Sequence, residues 1–346
     1  MTDLSVVLVT YRSSPLAGEA VTSVRAAAHA CAISCEIIVV DHSEDPAEAG
    51  RLAECRADRL ITQANRGYAA GINTGVGASQ GERIVVGNPD LTVSGEALAA
   101  LLGALERSWD VVGPRFCIGD FLLPPADEQT LGAEWRRWRA GRSYRAWRRH
   151  FRSEVRRWLE CWRGDTVRSS LFLSGALLAF DRRTFSRVGP WDERYFLYFE
   201  ESDWLMRARA LGLRVALVPG ARVEHRWAHA ADPTRCAAQF AASRRRYFTR
   251  HYGWPGRMVA SLPAHGRSLL SPVPLPSTLR LATTEVLWLA SPSPFGYPAG
   301  GVLGGATPPW QALATVAARR AAGAAYTVLA VDPLSIDLLG AWLWRH

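Results

Sequence analysis

The chain has 346 residues, of which 48% are hydrophobic and 21% are charged, and this globular composition excludes a disordered or fibrous protein. At about 150 residues per domain, the length predicts two domains or one large α/β domain with an extension. A formal charge of +9 and a sequence pI of about 9.7 favour anionic partners, namely nucleotides, nucleic acid or an anionic membrane. All 41 basic residues are arginine, which excludes a P-loop lysine, a Schiff-base lysine and a lysine general base.

The 6 cysteines are scattered and form neither a CxxC pair nor the spacing of a zinc finger. This pattern argues against a metal–thiolate site and favours reduced thiols in a cytosolic protein. No basic region followed by an apolar core opens the sequence, so no secretory signal peptide is predicted. Residues 324–344 are apolar, but Asp332, Pro333 and Asp337 interrupt them, so no membrane span is predicted there. We therefore expect a cytoplasmic protein.

The N-terminal part of the chain alternates between strand-like and helix-like segments. Short apolar, β-branched runs predict buried strands, and the stretches between them predict helices. The predicted strands and helices are, in chain order, residues 4–10, 15–30, 36–40, 60–62, 68–77, 83–86, 95–107 and 111–112. This alternation predicts a parallel sheet flanked by helices, in which ligands bind beyond the carboxyl ends of the strands. The polar residues at those ends are Thr10, Asp41, Asn88 and Asp90.

Residues 134–168 are rich in tryptophan and arginine. Apolar side chains recur at steps of three or four residues from Trp147 to Trp162, which predicts an amphipathic helix with arginines on its other faces. Three interpretations remain open. The segment is a groove for nucleic acid, an amphipathic helix on an anionic membrane, or a helical insertion that packs its tryptophan stripe on the preceding domain.

The C-terminal part of the chain changes in composition. Residues 254–305 are rich in Pro, Gly and Ser and predict a loop or linker. One helix is predicted near residues 311–325, and another after Asp332 as N-cap with Pro333 at its first position. The expected division is a first domain over residues 1–250, with residues 134–168 as its insertion, followed by a linker and helical extension over residues 251–346.

Two side chains at predicted strand ends have the chemistry of metal ligands. The Asp90 carboxylate suits Mg²⁺ or Mn²⁺, which take oxygen ligands and keep waters and substrate phosphates. His225 follows a later predicted strand and would add an imidazole, which suits Mn²⁺ better than Mg²⁺. The alternative is that Asn88-Pro89-Asp90 is only a turn, since Pro and Asp are common turn residues.

An acidic cluster follows an aromatic run. Glu200, Glu201 and Asp203 place three carboxylates within four residues, and their mutual repulsion is expected to raise at least one pKa. A carboxylate with a raised pKa suits a general base that acts on a hydroxyl. The alternative is a solvated helix start, because acidic residues favour helix N-termini.

A stretch rich in Gly and Asn runs from Asn65 to Gly77. Such a junction between a strand and a helix suits the close approach of a diphosphate to backbone N–H groups. The alternative is tight packing of a helix on the sheet.

Taken in order, these segments resemble the GT-A glycosyltransferases of family 2, especially the bacterial rhamnosyltransferase-like branch. The resemblance covers roughly residues 4–250 and is carried by VVLVTYR (6–12), EIIVVDHSED (36–45), NRGYAAGINTGV (65–76), VVGNPD (85–90), SGALLAFDRRTF (174–185), GPWDERYFLYFEESDWLMRARALG (189–212) and VPGARVEH (218–225). It implies a GT-A fold, which is α/β with a mostly parallel, Rossmann-like central sheet flanked by helices.

The resemblance also implies a role for each matched residue. Asp90 and His225 would bind Mg²⁺ or Mn²⁺, and Glu201 would be the general base, with Glu200 and Asp203 as the other candidates. The nucleotide-sugar site would include Thr10, Arg12, Asp41, Asn65, Gly67, Asn73, Asn88 and Asp90. The acceptor side would include Gly175, Trp191 and Asp192.

The implied activity is inverting, metal-dependent transfer of a sugar from a nucleotide diphosphate donor. The expected acceptor is a saccharide, either linked to a polyprenyl diphosphate or part of an envelope glycan, and dTDP-rhamnose is the first donor expected. UDP- and GDP-sugars are the alternative donors, and a basic nucleic-acid-binding or scaffold protein on a degenerate transferase fold is the alternative function. No nucleic-acid partner is expected of the enzyme. Its expected location is the cytoplasm, with peripheral contact to the inner face of an anionic membrane as a variant of that location.

Overall fold

The computed structural model describes residues 2–226, 233–262, 270–318 and 325–345. Their contacts divide the chain into two compact units. The first unit contains the described residues within Met1–Arg115, Ala126–Gln129 and Asp165–Ala260, and the second contains those within Phe116–Pro125, Thr130–Gly164 and Ser261–His346.

The strands of the described residues are β1 (Leu4–Thr10), β2 (Cys35–Asp41), β3 (Arg59–Thr62), β4 (Arg83–Gly87), β5 (Leu91–Thr92), β6 (Val111–Ile118), β7 (Phe121–Leu122), β8 (Arg168–Ser169), β9 (Leu177–Asp181), β10 (Val215–His225), β11 (Val273–Pro274), β12 (Val286–Ser291), β13 (Gly300–Gly304), β14 (Ala325–Val331) and β15 (Leu338–Arg345). The helices are α1 (Ser14–Ala30), α2 (Pro46–Ala53), α3 (Tyr68–Ala78), α4 (Gly95–Glu106), α5 (Leu131–Ala140), α6 (Tyr144–Arg163), α7 (Arg182–Val188), α8 (Glu200–Ala210), α9 (Pro233–Ala260) and α10 (Trp310–Ala317).

The first unit is built on a parallel sheet in the order β3-β2-β1-β4. All of β1 is buried, as a strand with helices on both faces should be. The register pairs Thr10 with Asp41 and Leu8 with Gly87, so β1, β2 and β4 end at the same edge. β9 continues the sheet antiparallel to β4. The α/β fold class, with a mostly parallel central sheet, is therefore confirmed.

The glycines of α3 explain how closely this helix approaches the sheet. A Cβ on Gly71 would lie 2.6 Å from Val9 Cγ1, and one on Gly75 would lie 2.2 Å from Val7 Cγ1. Side chains at these two positions would push the helix off β1. The alternative interpretation of this segment, tight helix–sheet packing, therefore holds for Gly71 and Gly75.

The C-terminal end of the first unit is helical where the sequence predicts the start of a linker. The predicted linker begins at residue 254, but α9 runs from Pro233 to Ala260 with a break at Gly253, whose φ is 61°. Beyond the break the chain turns back. Arg244 donates to the carbonyl oxygens of Ala260 (2.9 Å) and Val259 (3.2 Å). The Pro and Gly residues of this stretch therefore shape a helical turn.

The second unit contains an antiparallel sheet in the order β7-β13-β12-β14-β15, with β11 parallel to β15 at its edge. Residues 286–291 and 300–304, predicted as linker, are its strands β12 and β13. The apolar side chains of α6 form one core with residues of these strands. That core contains Trp147, Phe151, Val155, Trp158, Leu159, Trp162, Leu270, Leu287, Leu289, Ala299, Leu329, Val331 and Ile336.

The expected helical extension is wrong in its second helix. The chain from Leu338 is the strand β15, which pairs with β14 from Ala325 onward. Asp332 caps a turn instead, because its Oδ1 accepts from the N–H groups of Leu334 (2.9 Å) and Ser335 (2.7 Å). Of the helix predicted near residues 311–325, the structure has α10, and residues 319–324 lie outside the described part of the chain.

The described ranges contain no helix with both the length and the low charge content that crossing a membrane requires.

Candidate active site

A cavity of about 730 Å³ opens at the strand edge of the first unit, and we call it the central cavity. It brings together most of the predicted site residues, and those that line it come from six separate segments of the sequence. Those that line it are Thr10, Arg12, Asn65, Gly67, Asn88, Asp90, Gly175, Glu200, Glu201 and His225. The predicted residues Asp41, Asn73, Trp191, Asp192 and Asp203 are not among the residues that line it.

Strand pairing places the two predicted metal ligands side by side. β10 runs antiparallel to β5, with His225 opposite Leu91, so the imidazole lies beside the residue that precedes β5. His225 Nε2 is 3.3 Å from Asp90 Oδ1, and both side chains are nearly buried. Arg226 N–H donates to the Asp90 carbonyl oxygen at 3.0 Å and fixes the junction.

This pair fits a hard divalent cation that retains other ligands. One carboxylate and one imidazole are suitable donors for Mn²⁺ or Mg²⁺. The described residues contain no group of three or more His, Cys, Asp and Glu side chains that would enclose a metal.

Asp41 supports the wall of the cavity without lining it. Its Oδ1 accepts from the Ser43 N–H at 3.0 Å and from Ser43 Oγ at 2.5 Å. Ser43 Oγ in turn accepts from the Arg12 N–H at 2.7 Å. Arg12 has a φ of 49°, which is unusual for a side chain with a Cβ, so this contact holds a strained backbone in place. Asp41 thereby positions Arg12 in the cavity.

The loop before α3 approaches the cavity with its backbone. Gly67 has a φ of 96°, and a Cβ there would lie 2.4 Å from the Phe196 carbonyl oxygen. The Gly67 N–H donates to Asn65 Oδ1 at 3.1 Å, and the Tyr68 N–H donates to the Phe196 carbonyl at 2.9 Å. The N-terminus of α3 therefore lies at the cavity wall, where the partial positive charge of the helix end favours an anionic ligand.

Glu200 and Glu201 begin α8 and both line the cavity. Burial, followed by the charge of Glu201, raises the pKa of Glu200 well above its usual value. Burial also raises the pKa of Glu201, while a hydrogen bond from Ser202 Oγ (2.9 Å) counteracts the rise. Glu200 Oε2 is buried and makes no hydrogen bond within the described structure. The pair therefore retains a proton on Glu200 more readily than on Glu201.

Asp203 lies outside the cavity, in a cluster of cations. Its carboxylate, fully buried, accepts from Arg207 Nε (3.0 Å), contacts Arg250 Nε (3.0 Å) and lies 2.8 Å from His251 Nε2. Burial raises the pKa of Asp203, but the bonds from His251 and Arg207 outweigh it, and the net pKa is lowered. This buried carboxylate, with partners on both helices, links α8 to α9.

Asn73, Trp191 and Asp192 form a second supporting layer. Asn73 Nδ2 donates to the Trp191 carbonyl, and Asn73 Oδ1 accepts from the Trp191 N–H, both at 2.9 Å. Asp192 accepts from Arg194 Nη2 (2.6 Å) and Arg250 Nη1 (2.7 Å). The hydrogen bond from Arg194 lowers the pKa of Asp192 to about 2, so it remains ionised.

The cavity wall also contains residues that the sequence did not predict as site residues. Tyr68, His42 and the segment 196–198 line it, as do Arg235, Cys236 and Gln239 of α9. The aromatic run before Glu200 was a visible signal for 196–198. Nothing in the local pattern of α9 indicates that its first turns reach a cavity whose other lining residues lie between Val9 and His225.

Two consecutive residues before α8 are strained. Tyr198 and Phe199 both have a φ of 69°, in the left-handed region that costs energy for residues with a Cβ. Phe199 is held there by ring contacts with Tyr247 and Phe240, each at a centroid distance of 5.3 Å. The resulting sharp turn directs the start of α8, with both glutamates, into the cavity.

The chain is similar to several known proteins. The family model of glycosyl transferase family 2 matches residues 5–159. The N-acetylglucosaminyl-diphospho-decaprenol L-rhamnosyltransferases of Mycobacterium tuberculosis strains CDC 1551 / Oshkosh and ATCC 25618 / H37Rv are 30% identical to the chain over 227 residues, which is 56% of this chain and 68% of theirs.

Two solved structures are also similar. The mannosyltransferase PcManGT from Pyrobaculum calidifontis, in complex with GDP-Man and Mn²⁺, has a TM-score of 0.48 and 17% identity, over 75% of this chain and 68% of its own. GalNAc-T7 with UDP, GalNAc and Mn²⁺ has a TM-score of 0.44 and 14% identity, over 65% of this chain and 44% of its own. The family match and the mycobacterial relatives show that the chain belongs to glycosyl transferase family 2 and is a rhamnosyltransferase-like glycosyltransferase.

Proposed function

We propose that the protein is an inverting, divalent-metal-dependent glycosyltransferase that moves a sugar from a nucleotide diphosphate to a saccharide hydroxyl. The observation that carries this proposal is the meeting of two pairs in one cavity: Asp90 with His225, and Glu200 with Glu201. The first pair suits a cation that binds a diphosphate, and the second suits proton removal from an acceptor. dTDP-rhamnose is the first donor proposed, because the curated relatives are L-rhamnosyltransferases. UDP- and GDP-sugars are the alternatives.

Asp90 and His225 would hold Mn²⁺ or Mg²⁺. When bound, such a cation would supply positive charge to offset the negative charge of a leaving nucleoside diphosphate. Around it, Arg12 and the N-terminus of α3 add positive potential on the donor side of the cavity. Burial lowers the pKa of His42, so its ring stays neutral and contributes an uncharged surface to the same wall.

Glu201 is the proposed general base. A base must be ionised to accept a proton, and of the two glutamates Glu201 is the one stabilised in its charged form by Ser202. Glu200 is more deeply buried and its Oε2 has no hydrogen-bond partner, so in this proposal it retains the proton. A protonated Glu200 places no negative charge beside Glu201. Gly175 lies against Glu201, where a Cβ would be 3.1 Å from Glu201 Cβ, so a glycine keeps this approach open.

The reaction then needs a single displacement. The acceptor oxygen forms a bond to the anomeric carbon while its proton passes to Glu201. The bond from the anomeric carbon to the diphosphate oxygen breaks, and the nucleoside diphosphate leaves with the electron pair. Attack on the face opposite the leaving group inverts the anomeric configuration.

The proposed acceptor is a saccharide carried on a polyprenyl diphosphate, as the names of the curated relatives suggest. The test is transfer from dTDP-rhamnose, UDP-sugars or GDP-sugars to N-acetylglucosaminyl diphosphate carrying a short prenyl chain, followed by NMR of the product. We expect metal-dependent transfer from one donor class, with an inverted anomeric centre. A product with retained configuration, or full activity in EDTA, would contradict the proposal.

A further inference from the structure

The chain places a second, strongly basic concavity on α9, which we call the basic groove. Its volume is about 520 Å³, and it is lined by Arg194, Ala242, Arg245, Arg246, Thr249 and Arg250. Four of its six residues are arginines, and all of them lie in the first unit. The nucleotide-sugar chemistry described above uses none of these residues.

Asp192 orients two of the four arginines. It accepts from both Arg194 and Arg250, and its lowered pKa keeps it charged. Arg246 lies 6.0 Å from the centre of the Tyr195 ring. In the part of the chain that the structure describes, no carboxylate lies within salt-bridge distance of Arg245 or Arg246, and both are exposed. The groove therefore presents a net positive charge to solvent.

The basic groove and the central cavity share one face of α9. Residues 235, 239, 242, 246 and 249 follow each other at steps of four and three, which places them on one side of a helix. The first two line the central cavity, and the last three line the groove. Gln239 and Arg246 are seven residues apart, or about 10 Å along the axis. The opposite face, with Tyr247 and Phe248, is buried.

Two exposed apolar side chains follow the groove in the sequence, on the segment that turns back after Gly253. After the break at Gly253, Trp254 and Met258 are 77% and 62% exposed, which is high for such side chains. Along α9 before the break at Gly253, the central cavity is thus followed by the arginines of the basic groove. A saccharide linked through a diphosphate to a lipid carries its groups in the same order, with the diphosphate one sugar ring away from the reacting hydroxyl.

We infer that the basic groove binds the diphosphate of the acceptor, with Arg245 and Arg246 as its principal ligands and Arg194 and Arg250 as partners oriented by Asp192. Arginine suits this ligand because its planar guanidinium donates two parallel hydrogen bonds to phosphate oxygens. This inference rests on the proposed function for the identity of the acceptor. The groove itself would recognise any prenyl diphosphate.

The direct test is calorimetric titration with geranyl diphosphate in EDTA. We expect the double variant Arg245→Gln/Arg246→Gln to bind at least about tenfold more weakly than the wild type. Two variants are expected to bind as the wild type does: Arg187→Gln, an exposed arginine of α7 outside the groove, and Asp90→Asn, which disables the metal pair. Equal affinity of the double variant and the wild type, or no binding by the wild type, would overturn the inference.

Two further measurements identify the source of the phosphate and separate this inference from the proposed function. In transfer assays, the double variant is expected to raise KM for the prenyl diphosphate acceptor and to leave kcat and the KM of the donor unchanged. A neutral alkyl glycoside of the same sugar should show no difference between variant and wild type. If the double variant loses only its binding to anionic vesicles and retains its affinity for geranyl diphosphate, the groove is a lipid headgroup site and the inference is wrong. If no donor supports transfer, the proposed function fails, but the titration still decides on the groove.

Discussion

Glu200 and Glu201 follow each other at the start of α8, yet their surroundings give them different proton affinities. Burial raises the pKa of both carboxyl groups, but a hydrogen bond from Ser202 Oγ stabilises the charged form of Glu201. Two adjacent buried carboxylates cannot both ionise at low cost, so one retains a proton. A proton retained on Glu200 would leave Glu201 able to act as the proposed base.

The first prediction concerns Glu201. Glu201→Gln removes the proton acceptor and is expected to lower kcat by about 10²- to 10⁴-fold, as measured by initial rates at saturating substrates. Glu200→Gln is the matched control, because it replaces a neutral acid by a neutral amide of similar shape. We expect it to retain most of the activity. The reverse result, with Glu200→Gln inactive and Glu201→Gln active, would assign the base to Glu200.

The second prediction is the pH dependence of the same step. Because the base works ionised and burial raises its pKa, activity is expected to fall on acidification at a pH above the ordinary glutamate value of 4.5. Glu200→Gln should leave this acid limb in place, since Glu200 is already uncharged there. The measurement is the pH profile of kcat for both proteins. An acid limb at or below 4.5 would contradict the account of a buried base.

Some site residues were predictable from sequence because their signal is local. Asp90 follows a buried strand directly, and Glu200 and Glu201 follow an aromatic run, so strand ends and clustered charge point to all three. Asp203 shows the limit of such reasoning. Its partners Arg250 and His251 come 47 and 48 residues later, on a helix whose position no local pattern gives. That pairing turns a candidate base into an anchor between α8 and α9.

The loop into α3 shows how one position differs from its neighbours within a glycine-rich element. Gly71 and Gly75 allow the helix to pack on β1, whereas Gly67 allows the chain to turn with a positive φ against the Phe196 carbonyl. The sequence shows only a Gly-rich stretch. Which glycine serves packing and which serves the cavity depends on the register of α3 on the sheet.

The third prediction tests that difference. Gly67→Ala introduces a Cβ 2.4 Å from a backbone oxygen at a φ of 96°. We expect a loss of about 1–3 kcal/mol in the free energy of unfolding and weaker nucleotide binding. Gly77→Ala is the control on the same helix, because no atom lies within 4 Å of its added Cβ. It should be neutral or stabilising by about 0.5–1 kcal/mol. Equal effects in urea denaturation would contradict the special role of Gly67.

Among the C-terminal elements, the helix predicted after Asp332-Pro333 is wrong for a physical reason. An Asp before Pro is a good helix N-cap, but the same carboxylate also caps a tight turn by accepting backbone N–H groups two and three residues later. In this chain Asp332 caps a turn and not a helix, because the following residues pair with β14 along the length of β15. A strand partner of this kind is a tertiary feature that local capping signals do not contain.

At the scale of the whole molecule, the tryptophan stripe of α6 belongs to the core of the second unit. Trp147 and Trp158 are at most 1% exposed, and Trp147 Nε1 donates to the Phe295 carbonyl at 2.9 Å. Residues 144–163 are therefore a packed helix, and of the three interpretations only the third expected the tryptophan stripe to be packed against protein. The third interpretation placed the stripe on the preceding domain, whereas α6 shares its core with C-terminal residues of the second unit such as Leu287 and Leu329.

The fourth prediction follows from this burial. Trp147→Ala would open a hole in the core and is expected to lower the free energy of unfolding by about 3–5 kcal/mol. Trp135→Ala, on α5 and 47% exposed, is the control and should cost much less. Chemical denaturation followed by circular dichroism measures both. If Trp147→Ala left stability unchanged and instead reduced binding to anionic vesicles, the stripe would be a membrane face.

The central cavity is proposed to bind a nucleoside diphosphate through a metal held by Asp90 and His225. Calorimetric titration with dTDP, UDP and GDP, each with Mn²⁺ and with EDTA, tests it most directly on the wild type, Asp90→Ala and the control Asp181→Ala, an acidic residue at the end of β9. We predict that one nucleotide binds, that binding needs the metal, and that only Asp90→Ala abolishes it. Binding that is equally strong in EDTA or in Asp90→Ala would contradict the account.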